Sequence, residues 1–438
     1  MTNHKIIVLD DDPTGTQTVQ NVVVLTVWDL KTLTAEMLSP APLFFILTNT
    51  RAMSAPEASA LNRVVCKNLA IIQEKYQLSF TLISRSDSTL RGHFPMELEA
   101  IEKGLKQDFD AWFLIPFFEE GGRVTLDDVH YLKENGQFTP VGETPFAKDA
   151  TFGYKNSNLK AWVEEKTKGK VKKEAVISIS LAELRNTESA LLLEKLNLLK
   201  NKQIVIVNAE KYEDLLPLAN ALQKLPHKKF LFRTAASWVK AVKSLSSTDE
   251  NNALRPIAWQ KKNETGGLIL VGSYVPKTTE QLGILIENNP EFIKIEVLVE
   301  ELLSEQRQQY LEELASEINT GLEKNRNVLV FTSRNLVKDT NPIRSLEIGN
   351  QVSTGLVYLV QNLKVKPSFL IAKGGITSSD IATRGLGIRR AIVKGQVLAG
   401  VPVWQVEGGL FPNLLYVVFP GNVGDKYALS KVYQSIIS

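Results

Sequence analysis

Short apolar runs rich in Val, Ile, Leu and Phe alternate along the chain with longer segments whose apolar residues recur at helical spacing. Runs that lack polar alternation are typical of strands buried on both faces, which occur in parallel sheets covered by helices. The runs span residues 6–9, 43–47, 80–83, 112–115, 176–179, 204–207 and 230–232, then 268–271, 293–297, 328–331, 369–371 and 415–419. The alternation predicts an α/β protein of mainly parallel sheets with helices on both faces.

Residues 245–267 interrupt this alternation, because they combine Ser, Asn, Asp, Lys and Gly without a sustained period. We therefore predict two domains, 1–250 and 265–438, with a cleft between them. Helices are predicted from Ser54 to about residue 76 and over 278–287, 299–323 and 345–361, the first because Ser54 and Glu57 have capping-box spacing. Residues 125–173 are less regular and are interpreted as an insertion or cap.

Composition excludes several classes of protein. The 51 Lys and Arg residues nearly balance the 48 Asp and Glu residues, and a net charge of +3 is too small to indicate nucleic-acid binding. Cys66 is the only cysteine, so the chain has no internal disulfide and no zinc site of the CxxC type, which fits a reducing cytosol. The chain has no apolar stretch long enough to indicate a membrane span or a secretory signal. These features predict a cytoplasmic protein with no membrane partner.

Polar and charged residues follow four of the predicted strands in the first half, at 10–15, 48–51, 85–92 and 118–123. If the strands are parallel, these segments lie at one edge of a sheet, where ligands of such sheets bind. They contain aspartates, hydroxyl groups and the arginines Arg51, Arg91 and Arg123. Arginine binds a carboxylate in bidentate fashion, and aspartate can hold hydroxyl groups, bind Mg²⁺ or accept a proton. Each segment alone is equally typical of a turn or a helix cap, but together they favour a site for a polyhydroxy acid.

Glycine-rich segments follow three predicted strands in the second half, at 271–279, 373–380 and 419–425. Glycine lets backbone N–H groups approach an anion closely, and a helix N-terminus adds partial positive charge. No segment matches the Walker pattern or GxGxxG. The turns are therefore either ordinary connections between strand and helix or an unusual site for the phosphates of a nucleotide.

The five segments DDDPTG, SDSTLRG, GSYVPKTTEQ, GGITSSD and FPGNVG, in this order, resemble the motifs of the four-carbon acid sugar kinase family over nearly the whole chain. The resemblance implies an N-terminal domain that binds a sugar acid and a C-terminal domain that binds a nucleotide. It also implies phosphorylation by ATP, with Mg²⁺, of a small sugar acid such as erythronate, threonate or a 3-oxo-tetronate.

The resemblance also implies roles for individual residues. The sugar-acid pocket would be lined by Asp11, Asp12, Thr14, Gly15, Asp87, Ser88, Thr89 and Arg91. The ATP contacts would be Ser273, Gly374, Gly375, Ile376, Thr377 and Gly421, with Asn422 and Gly424 in the same turn. Many members of the family have Glu at the position of Ile376, so this chain offers no side-chain carboxylate there. No metal ligand is assigned.

Our hypothesis is phosphoryl transfer from MgATP to a terminal hydroxyl of the acid, in a cleft that closes between the domains. Arg51 and Arg91 are the first candidates to hold the acid end, with Arg123 third. Asp12 is the candidate for the base that receives the hydroxyl proton, with Asp87 as the alternative.

Two other classes of function remain open. Asp10, Asp12 and Thr14 fit the DxDxT signature of haloacid-dehalogenase phosphatases, in which Asp10 would be the nucleophile, although Asp127 and Asp128 follow no strong strand and make a poor acidic pair. A non-catalytic sensor of a sugar acid is the third reading. The sequence leaves open the identity of the acid and the oligomeric state, for which a homodimer is one alternative.

Overall fold

The structure is a computed structural model that describes residues 4–186, 189–246, 257, 259, 264–334, 342–421 and 423–438. Contacts between Cα atoms divide the chain into two compact units, Met1–Ala253 (unit 1) and Leu254–Ser438 (unit 2). The predicted connecting segment, 245–267, lies largely outside the described residues. In the described ranges, none of the helices is long and apolar enough to cross a membrane.

Unit 1 contains a parallel sheet with helices between its strands, and a small second sheet. Its strands are β1 (Lys5–Asp10), β2 (Val22–Leu25), β3 (Leu43–Leu47), β4 (Phe80–Arg85), β5 (Ala111–Ile115), β6 (Arg123–Leu126), β7 (Val129–Glu134), β8 (Gln137–Pro140), β9 (Ile177–Ile179), β10 (Gln203–Val207) and β11 (Phe230–Thr234). Its helices are α1 (Leu30–Leu38), α2 (Ala55–Tyr76), α3 (Met96–Leu105), α4 (Leu159–Lys166), α5 (Leu181–Arg185), α6 (Ser189–Leu198), α7 (Leu215–Gln223) and α8 (Ala236–Ser246). The large sheet has the order β2-β3-β1-β4-β11-β5-β10-β9, and all of these neighbours are parallel.

Helix α2 shows how the local sequence sets an element. Glu57 accepts hydrogen bonds from the Ser54 backbone N–H at 3.0 Å and from the Ser54 hydroxyl at 2.6 Å, which satisfies the helix start as the capping-box spacing predicts. Val65, Leu69 and Ile72 form one buried face at helical spacing. Cys66 is fully buried beside them as a core residue, and burial raises the pKa of its thiol.

The less regular region 125–173 contains more structure than the sequence predicts. β6, β7 and β8 form an antiparallel sheet, and α4 lies near its end. Asp128, in the β6–β7 turn, accepts a hydrogen bond from Asn208 at 2.9 Å and another from Ser178, so it ties this sheet to β9 and β10. These strands were not predicted because most of their side chains are partly buried or exposed, so the segments do not form uniformly apolar runs.

Unit 2 contains a mixed sheet whose larger part is parallel. Its strands are β12 (Leu268–Val271), β13 (Ile293–Val297), β14 (Val328–Thr332), β15 (Leu370–Lys373), β16 (Arg390–Leu398), β17 (Val401–Glu407) and β18 (Leu415–Phe419). Its helices are α9 (Pro276–Asn288), α10 (Val299–Leu302), α11 (Arg307–Glu323), α12 (Pro342–Gln361), α13 (Gly375–Asp380) and α14 (Ala428–Ile437), and a π-helical turn over Ile381–Gly385 follows α13. The order is β13-β14-β12-β15-β18-β17-β16, and only β17 pairs with its neighbours in antiparallel fashion.

The predicted α/β class with mainly parallel sheets covered by helices is confirmed in both units. One helix prediction was wrong, because 299–323 is two helices, α10 and α11, rather than one. The Ser304 hydroxyl accepts the Gln306 backbone N–H at 3.2 Å, and this local bond competes with continuation of the helix. The antiparallel pair β16 and β17 was also missed, because β16 alternates buried and partly buried residues.

Candidate functional site

The polar segments of unit 1 lie at the carboxyl ends of adjacent strands. β1 lies between β3 and β4, and the chain passes from β1 to one side of the sheet before returning to β4 on the other side. This is a topological switch point, where parallel sheets leave a crevice for ligands. It brings together the segments that begin at Asp10, Thr48 and Arg85.

Arg51 connects three aspartates at this edge. Its guanidinium lies 2.9 Å from Asp11, 3.3 Å from Asp12 and 3.4 Å from Asp87. The Arg51 side chain is only 16% exposed, and although burial opposes its charge, these carboxylates outweigh burial and raise its pKa. Arg51 therefore holds the aspartates in place, and most of its charge is already neutralised.

Asp87 is the second centre of charge. It accepts a hydrogen bond from Arg91 Nε at 2.8 Å and another from the Thr89 hydroxyl. Burial opposes ionisation of Asp87, but Arg91 and Arg51 outweigh it, so the pKa of Asp87 lies below its ordinary value. Arg91 also lies 3.8 Å from Asp149, a residue of the region between the motifs.

Asp12 begins the short turn Pro13–Thr18, and its carboxylate accepts the Thr14 backbone N–H at 2.8 Å. Its side chain is 18% exposed, more than those of Asp10 and Asp11. Burial acts to raise the pKa of Asp12, but Arg51 and Arg85 outweigh it, and the pKa lies below its ordinary value. Asp12 is therefore an ionised and partly accessible carboxylate at the strand end.

Asp10 and Gly15 form the buried base of this edge. The Asp10 carboxylate is 2% exposed and lies 3.2 Å from Arg85. A Cβ added at Gly15 would lie 2.1 Å from Asp10 Oδ2, so only glycine allows this turn to pack on the carboxylate. Burial, despite Arg85, raises the pKa of Asp10 to about 8. A covered and largely protonated Asp10 is poorly suited to be the nucleophile of a phosphatase.

Arg123, at the start of β6, differs from the other two predicted arginines. It lies over the Phe146 ring at 5.8 Å, and Arg91 lies over the same ring at 5.1 Å. Its Nε is buried without a hydrogen-bond partner, and within the described residues no carboxylate lies within ion-pair distance of its guanidinium. Burial lowers the pKa of Arg123, in contrast to Arg51. The Arg123 Nη1 donates to the Gly121 carbonyl at 2.5 Å, and Asp87 and Glu134 favour its charge without pairing with it directly. The guanidinium therefore keeps charge that a ligand carboxylate can use.

The small sheet and the segment that follows it donate hydrogen bonds to the backbone of residues 86–92. His130 is fully buried, and its Nε2 donates to the Ser88 carbonyl at 2.8 Å, while its Nδ1 lies 2.9 Å from the Thr125 hydroxyl. The Tyr154 hydroxyl donates to the Thr89 carbonyl at 2.7 Å. Burial lowers the pKa of His130 to about 4, so the ring is neutral near pH 7. These contacts position the backbone that carries Asp87.

Sequence reasoning did not assign three buried residues at this edge, Arg85, Glu97 and Arg233, or the partly buried Phe146 and Asp149. Arg85 pairs with Asp10 and Asp11, and Arg233 lies 3.2 Å from Glu97. The sequence does contain an indication of the role of Arg233, because an arginine within the apolar strand FLFRT needs a buried partner. Nothing in the local sequence indicates that Phe146 and Asp149 belong to this site, because they lie in turns outside the motifs.

In unit 2 the three glycine-rich turns meet at the carboxyl ends of β12, β15 and β18. Gly374 has φ +124, and a Cβ there would lie 3.1 Å from Ser273 Cβ. A Cβ at Gly421 would lie 3.1 Å from the Ser273 hydroxyl, and one at Gly272 would lie 2.2 Å from the Thr377 hydroxyl. The glycines of the three turns therefore pack closely against the side chains of Ser273 and Thr377, and we call this arrangement the glycine cradle.

The other residues predicted to contact ATP lie outside these close contacts around Ser273. Gly375 and Ile376 begin α13, and the Ile376 side chain is 60% exposed. Gly424 has φ +82, where a Cβ would lie 2.3 Å from Ala428 Cβ, so this glycine is required by the start of α14. Asn422 lies outside the described residues.

Arg334 joins the glycine cradle from the end of β14. It donates to the Ser273 carbonyl at 2.6 Å and to the Thr279 hydroxyl at 2.9 Å. Its Nη1 is buried without a hydrogen-bond partner. Sequence reasoning missed Arg334, although it follows a predicted strand as the other site residues do.

Two known protein-family domains together match most of the chain. Residues 6–242 match a family described as the sugar-binding N-terminal domain. Residues 268–429 match a family described as the nucleotide-binding C-terminal domain. The chain belongs to the family that these two domains define. The predicted resemblance to the four-carbon acid sugar kinase family is thereby confirmed.

Solved structures share the fold. Protein HI1011 of Haemophilus influenzae aligns with a TM-score of 0.66 at 17% identity and covers 98% of this chain and 100% of its own. A protein of Salmonella typhimurium LT2 described as a putative tRNA synthase aligns with a TM-score of 0.70 at 18% identity and covers 98% of both chains. No curated protein matches the chain.

Proposed function

We propose that this family member is an ATP-dependent kinase that phosphorylates a terminal hydroxyl of a small sugar acid of about four carbons, such as a tetronate or 3-oxo-tetronate. The observation that carries the proposal is the union in one chain of a sugar-binding and a nucleotide-binding family domain. Transfer of a phosphoryl group between their ligands is the simplest reaction that uses both. We assign acid binding to 1–250 and nucleotide binding to 265–438.

On the acceptor side, we propose that Arg123 is the main ligand of the substrate carboxylate. Arg51 is occupied by three aspartates and Arg91 by Asp87, so both serve mainly to position carboxylates. Arg123 is the predicted arginine with no carboxylate partner in the described chain. Asp11, Thr14, Ser88 and Thr89 would orient the hydroxyl groups of the acid around this anchor.

Asp12 is proposed as the base that receives the proton of the attacking hydroxyl, with Asp87 as the alternative. Asp12 is ionised and more accessible than Asp10 or Asp11. Asp87 is ionised too, but it is held by Arg91 and Arg51 at once. Arg51, between the two, would keep Asp12 oriented.

On the donor side, the glycine cradle fits the phosphates of ATP. Side chains at Gly272, Gly374 and Gly421 would crowd Ser273 or Thr377. Arg334 brings positive charge to the cradle, and Lys277 is a second cation near Lys373. Among the described side chains there is no cluster of three or more His, Cys, Asp or Glu residues able to hold a metal ion. Mg²⁺ therefore enters the proposal only as the ion that accompanies ATP, and it would neutralise phosphate charge.

Transfer also requires the bound acid and the bound nucleotide to meet during turnover. ATP as the donor implies a cytoplasmic site of action. A homodimer stays a prediction.

The test is incubation of the purified protein with MgATP and a panel of four- to six-carbon sugar acids, followed by detection of ADP and of the phosphorylated acid. ATP-dependent phosphorylation of at least one acid is expected. Release of phosphate from phosphorylated sugars without ATP would support the phosphatase instead, and binding of an acid without ADP formation would support a sensor.

Asp12→Asn tests the role of the base in the same assay. The amide oxygen can still accept the Thr14 N–H, so the turn should persist while turnover falls roughly a hundredfold or more. Asp29→Asn is the matched control, because Asp29 accepts the Thr32 N–H at 3.0 Å in the same way at the exposed start of α1. Near-normal turnover of a folded Asp12→Asn protein would remove Asp12 from this role.

A further inference from the structure

Lys373 is a buried cation that no sequence motif of the proposed site assigns. It is the last residue of β15, it directly precedes Gly374, and its relative exposure is 0%. Its Nζ donates to the Pro420 carbonyl at 3.1 Å and lies 3.9 Å from the centroid of the Phe419 ring. In the described part of the chain, no carboxylate lies within ion-pair distance of this ammonium.

Burial of an ammonium without a counter-ion is unfavourable, so such a group needs an explanation. Lys5 in β1 shows how this chain otherwise buries a lysine, because its Nζ donates to two carbonyls, of Ser39 and Ala41, and Glu36 lies near enough to favour its charge. Lys373 has one carbonyl and a neighbouring cation, Lys277. Burial, with a contribution from Lys277, lowers the pKa of Lys373 to about 7.

The Lys373 ammonium lies beside the Pro420–Gly421 turn, which is one of the three turns of the glycine cradle. Pro420, which accepts its hydrogen bond, is followed by Gly421, and Gly421 packs against the Ser273 hydroxyl. The Lys373 carbonyl accepts the Gly272 N–H at 3.2 Å, so the same residue also joins the cradle's first turn to its second. Thr278 donates to the Gly421 carbonyl at 2.9 Å, which links the Pro420–Gly421 turn to the first turn of α9.

Among the described residues, those known to lie beside Lys373 are neutral or cationic. Val271 of β12 and Phe419 of β18 are its partners in the sheet. α9 presents Lys277. With respect to the residues that the structure describes, an anion in the cradle would be the first negative charge near this buried ammonium.

We propose that Lys373 is a positioning residue for the nucleotide, whose ammonium lies beside the glycine cradle, attracts the bound phosphates and takes up a proton when they bind. The inference rests on the proposed function and deepens it. Lys373 acts through the Pro420–Gly421 turn, and it makes nucleotide binding favourable without occupying the space that the glycines leave free.

The experiment is titration calorimetry of the full chain with MgADP, in pairs of buffers with different ionisation enthalpies. With a pKa of about 7 when free, Lys373 should take up roughly 0.9 proton per MgADP at pH 8 and roughly 0.1 at pH 6. Lys373→Met should lose this uptake and bind MgADP at least about tenfold more weakly at pH 7, since one favourable charge is removed. Lys373→Arg should bind well without uptake, because arginine is always protonated.

Lys5→Met is the matched control, since it also replaces a fully buried lysine but lies in β1 of unit 1. It should leave the proton uptake unchanged. Uptake that persists in Lys373→Met or in Lys373→Arg would overturn the inference while leaving the kinase proposal intact. Absence of any MgADP binding by the wild-type chain would instead overturn the proposed function itself.

Discussion

At the scale of single residues, three arginines that look equivalent in the sequence have different surroundings. Arg51 contacts three aspartates, Arg91 contacts Asp87, and Arg123 stacks on Phe146 without a carboxylate partner among the described residues. Because an arginine that is already paired offers little charge to a ligand, the role of each follows from its partners. The predicted order, with Arg123 third, is therefore reversed in the proposal.

Substitution of Arg123 tests that order. Arg123→Met should raise KM for the acid by roughly 10- to 100-fold with a much smaller change in kcat, because a charged hydrogen bond made to substrate and transition state alike is lost. Steady-state kinetics at varied acid concentration measure the split. Arg63→Gln, on the exposed face of α2, is the control. An unchanged KM for Arg123→Met would assign carboxylate binding to another residue.

At the scale of elements, the antiparallel sheet β6–β8 supports the segment that carries Asp87. His130 of β7 donates to the Ser88 carbonyl, and Tyr154 donates to the Thr89 carbonyl. The sheet is therefore part of the site's framework, and its buried histidine makes the framework sensitive to acid.

The acid sensitivity can be measured. The pKa of His130 is about 4 in the fold and about 6.5 in the unfolded chain, so the unfolded state binds the extra proton between these values. Stability from this group is present above about pH 6.5 and is lost as pH falls toward 4, by roughly 3 kcal/mol in total. Urea unfolding across this range should show a shallower pH dependence for His130→Gln, while exposed His227→Gln should follow the wild type. Parallel curves for wild type and His130→Gln would contradict this.

The cradle turns are sensitive to a single added methyl group. Gly272→Ala would place its Cβ 2.2 Å from the Thr377 hydroxyl, so we expect loss of stability by about 1–3 kcal/mol and weaker MgADP binding. Gly283→Ala, within α9, meets nothing within 4 Å and should stabilise the helix by up to about 1 kcal/mol. Chemical unfolding and calorimetry compare the two. Equal MgADP affinity in both variants would mean that the turn does not contact the nucleotide.

At the scale of the whole molecule, each unit carries one half of the proposed reaction, and each should bind its own ligand. A ligand that binds only the folded state adds stability, about 2.7 kcal/mol at a concentration of 100 Kd. A thermal-shift screen with MgATP alone and with each acid alone should therefore raise the melting temperature in both arms. A shift with acids and none with MgATP, at any concentration tested, would favour the sensor over the kinase.

The sequence by itself determined the features that depend on local chemistry. Uniformly apolar runs predicted the buried parallel strands, the spacing of Ser54 and Glu57 predicted the start of α2, and polar residues after strands predicted which segments meet at the carboxyl ends of strands in unit 1. These succeed because burial on both faces, helix capping and strand ends each leave a signature within a few residues of the chain.

Only the tertiary structure decided which charges meet. The pairing of Arg51 with Asp87 and the burial of Lys373 beside the Pro420–Gly421 turn depend on which strands are neighbours in each sheet. Residues 36 or more positions apart in the chain form these contacts, and no local pattern encodes them. The physical reason is that the energy of a charge depends on its burial and on the partners that the fold brings to it.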